Sequence, residues 1–135
     1  MKTSTAIVGI VTAAALLTGC ASMRKSQLDY REYTGEPVRS FYMNNLHGWA
    51  PVSKDELVVW SGINQAYMLK VSGYCPDLQF ANAIAVTSTA NTVDKFEKVI
   101  VGHDRCFIQE IRPVDLKQMK ADRKLLREQQ KASES

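Results

Sequence analysis

Short apolar stretches alternate with turn-forming residues between positions 37 and 113. Residues 57–60 (LVVW) and 65–71 (QAYMLKV) predict two strands, and SGIN at 61–64 predicts a four-residue hairpin connection between them. Pro51 places a further strand, at 49–52, at the edge of a sheet. The other predicted strands are residues 83–87, 98–101 and 107–111. Five or six short strands without βαβ spacing predict a mainly β fold: a small antiparallel sheet, curled or barrel-like.

The pattern changes after Pro113. Residues 114–131 predict a C-terminal helix, because they contain neither Gly nor Pro and are rich in Lys, Arg, Gln, Leu and Glu. Its apolar stripe is thin, consisting of Leu116, Met119 and Leu126 with Leu125 beside it. Such a stripe fits a solvated helix, a helix docked weakly on the sheet, or one that grips a partner. Residues 132–135 are expected to form a frayed tail, and 76–80 a single helical turn.

The N-terminus has a different character. Residues 6–17 (AIVGIVTAAALL) are uncharged, and as a helix they span about 18 Å, well short of the roughly 30 Å hydrocarbon core of a bilayer. They predict the apolar part of a secretory signal peptide covering residues 1–19. Residues 17–20 (LTGC) resemble the lipobox of bacterial lipoproteins. This resemblance implies cleavage before Cys20 and attachment of palmitate-type acyl chains there; the alternatives are an ordinary cleaved signal or a buried N-terminal helix.

The residues after the cysteine bear on location. Ala21 and Ser22 place no Asp beside Cys20, which resembles the default outer-membrane sorting signal of enterobacterial lipoproteins. We therefore expect a protein anchored in the cell envelope, in the outer membrane and facing the periplasm. Residues 20–36 are polar and lack sustained periodicity, so they predict a lipidated tether, although Tyr30 and Tyr33 can pack on the domain at 37–113.

Composition narrows the class of protein. A length of 135 residues allows one domain, and 45% apolar with 23% charged residues is ordinary globular composition that argues against wholesale disorder. The net charge of +3 is small and spread along the chain, so no nucleic-acid partner is expected. The single long apolar run excludes a polytopic membrane protein.

The cysteines supply the strongest internal constraint. With Cys20 committed to lipid, the two remaining thiols, Cys75 and Cys106, are expected to form a disulfide in an oxidising compartment. A loop of about 30 residues makes such a bridge worth roughly 3–4 kcal/mol. The alternative is a metal or thiol-catalytic site at residues 103–106 (HDRC). Because the only histidines are His47 and His103, and neither CxxC nor HExxH occurs, we predict no catalytic residue, metal or cofactor.

Three aromatic residues form a candidate binding surface: Trp49, Trp60 and Tyr67. Aromatic rings on one concave surface suit recognition of a glycan, small molecule or peptide. Packing in the core is the alternative for large rings in a small β domain.

Several short segments of the domain stand out: Gly48-Trp49 and residues 57–60, 66–69 (AYML), 75–78 (CPDL), 106–108 (CFI) and 111–114 (IRPV). Together they resemble a family of small proteobacterial lipoproteins or secreted proteins of unknown function, DUF6491. The resemblance covers residues 38–114, implies no catalytic residue and supports the disulfide. Together these features predict a non-enzymatic, lipid-anchored module that binds an envelope protein. A glycan or small-molecule binder is the alternative, and an enzyme is the third class.

Overall fold

The computed structural model describes residues 28–72 and 75–134. The predicted signal peptide, the lipobox and Cys20 lie outside these residues. The described chain contains eight strands, one α-helix and two 3-10 turns, at Tyr30–Tyr33 and Leu78–Phe80. The strands and the helix are β1 (Ser40–Tyr42), β2 (Gly48–Pro51), β3 (Glu56–Gly62), β4 (Gln65–Ser72), β5 (Ala85–Val86), β6 (Thr92–Asp94), β7 (Lys98–Val101), β8 (Asp104–Val114) and α1 (Leu116–Glu134).

Six strands form one curled, half-barrel antiparallel sheet in the order β2-β3-β4-β8-β7-β5. The predicted fold class is therefore confirmed, and β2, which contains Pro51, lies at an edge as expected. Strands β1 and β6 pair separately as a two-stranded sheet that the sequence did not predict. Three residues are too short for an alternating pattern to stand out from the surrounding loops.

The β3–β4 hairpin is tighter than predicted. Gly62 pairs with Gln65, so only Ile63 and Asn64 form the turn, in place of the predicted four-residue connection. A register shift between Trp60 and Gly62 accommodates the extra residue, as a β-bulge does.

The predicted helix start at residue 114 is wrong. Val114 is the buried last residue of β8 and pairs with Ala66 of β4. Asp115 caps the helix, because its Oδ1 accepts a hydrogen bond from the Gln118 N–H at 3.0 Å, and α1 begins at Leu116. The helix continues to Glu134, so most of the expected frayed tail is helical.

One side of the half-barrel sheet, here called the inner face, carries the larger core. Leu57, Leu69 and Ile111 are completely buried there among aliphatic neighbours. The covering layer contributes Phe41 and Val93 of the two-stranded sheet and Leu78 of the second 3-10 turn. At about 25 cal/mol per Å² of apolar surface, this burial is the main source of stability.

The predicted disulfide is present. Cys75 and Cys106 are bonded, with their Cα atoms 6.0 Å apart and a sequence separation of 31 positions. Cys106 lies on β8 within the inner core, whereas Cys75 begins the loop that contains Leu78. The bond therefore fastens that loop onto the sheet.

The opposite side of the sheet, the outer face, has a smaller core formed by Val58, Ala66, Met68 and Val114. Tyr30, Tyr33, Val52, Trp60 and Leu116 pack against it and remain partly exposed. This cover comes from two parts of the chain that are far apart in sequence: the N-terminal segment, residues 28–38, and the helix α1.

The N-terminal segment occupies a free edge of β8. On one edge of β8, strand β7 pairs only with residues 104–107. Residues 111–114 of β8 therefore have no partner strand on that edge. The segment fills it: Thr34 forms a bridge with Val114, the Gly35 N–H donates to the Pro113 carbonyl at 2.9 Å, and the Val38 N–H donates to that of Ile111 at 2.8 Å. The folded domain therefore begins before residue 37, the boundary predicted between tether and domain.

Candidate functional site

The described residues form a groove of about 790 Å³ on the outer face, between the N-terminal segment, the end of β2 and α1. Apolar side chains form much of its lining: Leu28, Tyr30, Val52, Met119 and Leu126. Three arginines also line it, Arg31, Arg123 and Arg127, and all three are exposed. An apolar surface flanked by cations suits a ligand that combines apolar and anionic groups.

The first 3-10 turn builds one wall of this groove. Asp29 caps the turn, since its Oδ1 accepts a hydrogen bond from the Arg31 N–H at 3.0 Å. The Tyr30 ring meets the Trp60 ring edge to face, with ring centroids 5.8 Å apart. Arg31 Nε donates to the Glu56 carboxylate at 2.9 Å, which ties the turn to β3.

Helix α1 builds the opposite wall and is tied to the N-terminal segment. The Tyr33 hydroxyl donates to Asp122 Oδ2 at 2.6 Å, and Gln118 Nε2 donates to the other oxygen at 2.9 Å. The hydrogen bond to Asp122 raises the pKa of Tyr33 to about 12, because the neighbouring carboxylate disfavours the phenolate. Met119, buried on the same side of the helix, completes the attachment.

A smaller polar cavity of about 190 Å³ adjoins the groove and shares Arg31 with it. Arg112 donates to Glu110, and this contact lowers the pKa of the Glu110 carboxyl and raises the pKa of Arg112. Glu56 and Lys70 also line the cavity. Since cations and anions alternate here, the charges largely compensate one another, and the arginines of the larger groove are the stronger attraction for an anion.

The three predicted aromatic residues do not lie together. Trp49 and Tyr67 are on the inner face, flanking Val59 in the cross-strand register, whereas Trp60 is on the outer face. Each ring is partly buried: Tyr67 stacks on Phe41 with centroids 4.2 Å apart, and Trp60 meets Tyr30. The structure thus separates Trp60 from the other two, so a shared concave surface of all three is not formed.

The histidines and cysteines that were weighed for catalysis lie in unconnected places. His47 precedes the edge strand β2, and His103 lies in the turn between β7 and β8; both are exposed. Cys75 and Cys106 are joined to each other. Among residues 28–72 and 75–134, no group of three or more His, Cys, Asp or Glu side chains is arranged to hold a metal ion.

Among the described residues, Glu97 is buried although it can carry a charge. Its two carboxylate oxygens accept hydrogen bonds from the hydroxyls of Thr87 and Thr89, and these bonds lower the pKa of Glu97. The arrangement fixes the loop between β5 and β6 against β7. Both oxygens are therefore committed to structure.

Sequence reasoning missed the groove itself. Its walls come from residues 28–31, 50–52 and 119–130, and their meeting depends on the way the chain ends cross the outer face. Only two features of the sequence indicated that the chain ends pack on the sheet: Tyr30 and Tyr33 within a polar segment, and the thin apolar stripe of the helix.

In the part of the chain that the structure describes, no helix is both long and apolar enough to cross a membrane.

The chain was compared with known proteins. The model of the "Family of unknown function (DUF6491)" matches residues 1–130, nearly the whole chain. No curated protein and no solved structure matches.

Proposed function

We propose that this chain, which belongs to the family of unknown function DUF6491, is a lipid-anchored protein of the cell envelope without enzymatic activity. Its proposed role is to bind an envelope protein in the groove of the outer face. Cys20 would carry the lipid, with the domain facing the periplasm. The observation that carries the binding role is the groove, in which Met119 and Leu126 lie beside Arg123 and Arg127. Such a lining fits a partner segment that presents apolar side chains next to Asp or Glu.

The position of the groove supports the same proposal. Leu28, the first described residue, lines it, and eight positions separate Leu28 from Cys20. A chain of eight residues spans at most about 30 Å. A domain held at Cys20 would therefore keep its groove close to the membrane, where it meets other proteins of the envelope.

The anchor is tested on the protein isolated from cells of its source. Mass spectrometry should find an N-terminus at Cys20 that carries acyl chains, and Cys20→Ala should abolish both the cleavage before residue 20 and the acylation. An unmodified cysteine at that position would refute the anchor without bearing on the groove.

The groove is tested by site-specific crosslinking in intact cells. A photoreactive residue at Leu126, which lines the groove, should capture one defined envelope protein. The matched control is Leu125, its neighbour on the helix, which is 56% exposed and does not line the groove. Arg123→Glu together with Arg127→Glu should abolish the product, because the like charges repel an acidic segment. Equal capture from both leucines, or capture unaffected by the reversals, would refute the protein partner, and a crosslinked glycan would assign the groove to that class.

A further inference from the structure

The cations of α1 are concentrated on one side of the helix. At 100° per residue, its six basic residues fall within an arc of about 120°. They are Lys117, Lys120, Arg123, Lys124, Arg127 and Lys131. We call this arc the basic face of α1. All six side chains are exposed, and none forms a salt bridge within residues 28–72 and 75–134.

The acidic residues of the helix compensate only part of this face. Asp122 points the other way, toward Tyr33 and the sheet. At the same 100° per residue, Glu128 lies about 20° outside the arc and Glu134, the last helical residue, falls within it, so the basic face keeps a net charge of +4 even when both are counted. The helix thus carries six basic and three acidic residues, whereas residues 20–115 carry ten basic and eleven acidic. The positive charge of the chain from Cys20 onward is therefore a property of the helix.

The basic face adjoins the first residue of the N-terminal segment. Leu28 lines the groove together with Arg123 and Arg127, the two arginines at the groove-side border of the basic face. Leu28 is eight positions along the chain from Cys20, a distance of at most about 30 Å, and a helix of 19 residues is about 28 Å long. The sequence of this connection adds two more cations, Arg24 and Lys25.

We propose that the basic face of α1 binds the anionic headgroups of the membrane that holds the lipid anchor, so that the helix lies along the bilayer surface. Charge complementarity and the position of Leu28 beside the helix select this occupant. The inference rests on the anchoring part of the proposed function. Lysines exposed along one side of a helix can face the phosphate groups of a flat bilayer surface together. Each lysine near that surface adds its own share to the free energy of binding.

The test measures partition of the full chain carrying Cys20→Ser onto vesicles of phosphatidylcholine alone and onto vesicles rich in phosphatidylglycerol. The apolar residues 6–17 contribute equally to both kinds of vesicle, so the ratio of the two partition coefficients isolates the electrostatic part. Replacing Lys117, Lys124 and Lys131 by Gln, which keeps helix propensity, should lower this ratio roughly a hundredfold. These three lysines do not line the groove, so its binding of a protein is left intact.

The matched control removes the same charge elsewhere, through Arg39→Gln, Lys54→Gln and Arg105→Gln, three exposed cations outside the helix. It should change the ratio only a few-fold, and raising the salt concentration should weaken binding of the unmodified helix more than that of the lysine variant. The proposal would be overturned by an equal loss of the ratio in both variants or by an unchanged ratio in the lysine variant. Tighter binding to soluble heparin than to anionic vesicles would also overturn it. Because Cys20→Ser carries no lipid, this outcome is independent of whether Cys20 is acylated in cells.

Discussion

The two faces of the half-barrel sheet are covered by different means. On the inner face, Leu57 and Leu69 are completely buried, and the Cys75–Cys106 bond fastens the covering loop. On the outer face, the cover is the N-terminal segment and α1, held by the Tyr33–Asp122 and Arg31–Glu56 contacts around half-buried rings. The two faces therefore differ in completeness: apolar burial on the inner face stabilises the domain, whereas the incomplete cover of the outer face leaves an open groove.

The largest effect is expected on the inner face. Replacing both Cys75 and Cys106 by Ala should lower the free energy of unfolding by roughly 3–4 kcal/mol, since the unfolded chain then recovers the freedom of a loop of about 30 residues. Denaturant unfolding followed by circular dichroism measures this loss. Treating the unmodified protein with a thiol reductant should reproduce it, and an unchanged midpoint in both experiments would show that the bond contributes nothing to the inner face.

A smaller effect is expected where the helix meets the outer face. Met119→Ala should cost about 2 kcal/mol, near the lower end for buried methionine, because the neighbouring groove lets the site relax. Leu125→Ala, on the exposed side of the same helix, should cost less than about 0.5 kcal/mol. The same unfolding experiment serves both variants. Equal losses would mean that the apolar contact at Met119 does not attach the helix.

The cover of the inner face contains a strained turn. Ala90 and Asn91 have φ of 50° and 57° in the turn that joins Thr89 to Thr92, a conformation that costs free energy for a residue with a Cβ atom. Ala90→Gly should therefore raise the free energy of unfolding by about 0.5–1 kcal/mol. Ala85→Gly, in extended β5, should lower it by a similar amount. Thermal unfolding of the two variants distinguishes these opposite signs, and destabilisation by both would contradict the strain.

The weakest effect concerns the polar attachment of the outer face and depends on pH. Because the folded-state pKa of Tyr33 is raised to about 12, its hydrogen bond to Asp122 stabilises the fold below pH 10 and is lost as the pH rises through about 12. Absorbance titration of the phenols should show a late-titrating tyrosine that Tyr33→Phe removes. Tyr42→Phe, at an exposed ring, should leave it in place. If Tyr33→Phe left the titration curve at high pH unchanged, the attachment would not depend on this bond.

Sequence reasoning succeeded where the relevant pattern is local. The run at 57–60 and the alternation at 65–71 correspond to β3 and β4, which are long enough for periodicity to show. The disulfide followed from counting thiols once Cys20 was set aside. The sequence-based prediction was wrong at Val114, because β8 continues through Pro113 to Val114 and the helix begins only after its cap, Asp115.

The groove was out of reach for a different reason. It forms where residues nearly 100 positions apart, such as Leu28 and Leu126, come together across the outer face. No alternation or spacing within either segment specifies that meeting. The basic face of α1 was hidden similarly, because its six cations appear evenly spread along the sequence and coincide only once the helical rotation is applied.

The pairing of the N-terminal segment with β8 has a mechanical consequence. A pull on the chain from the direction of Cys20 first meets the Arg31–Glu56 contact to β3, then the Asp115 N–H to Tyr33 carbonyl bond at 2.7 Å and the Gly35 N–H to Pro113 carbonyl bond. The two backbone bonds lead to β8, which pairs with β4 over residues 107–114 and lies in the interior of the sheet. Force from an anchored end would therefore be borne by a central strand, while the edge strands β2 and β5 stay outside the load path.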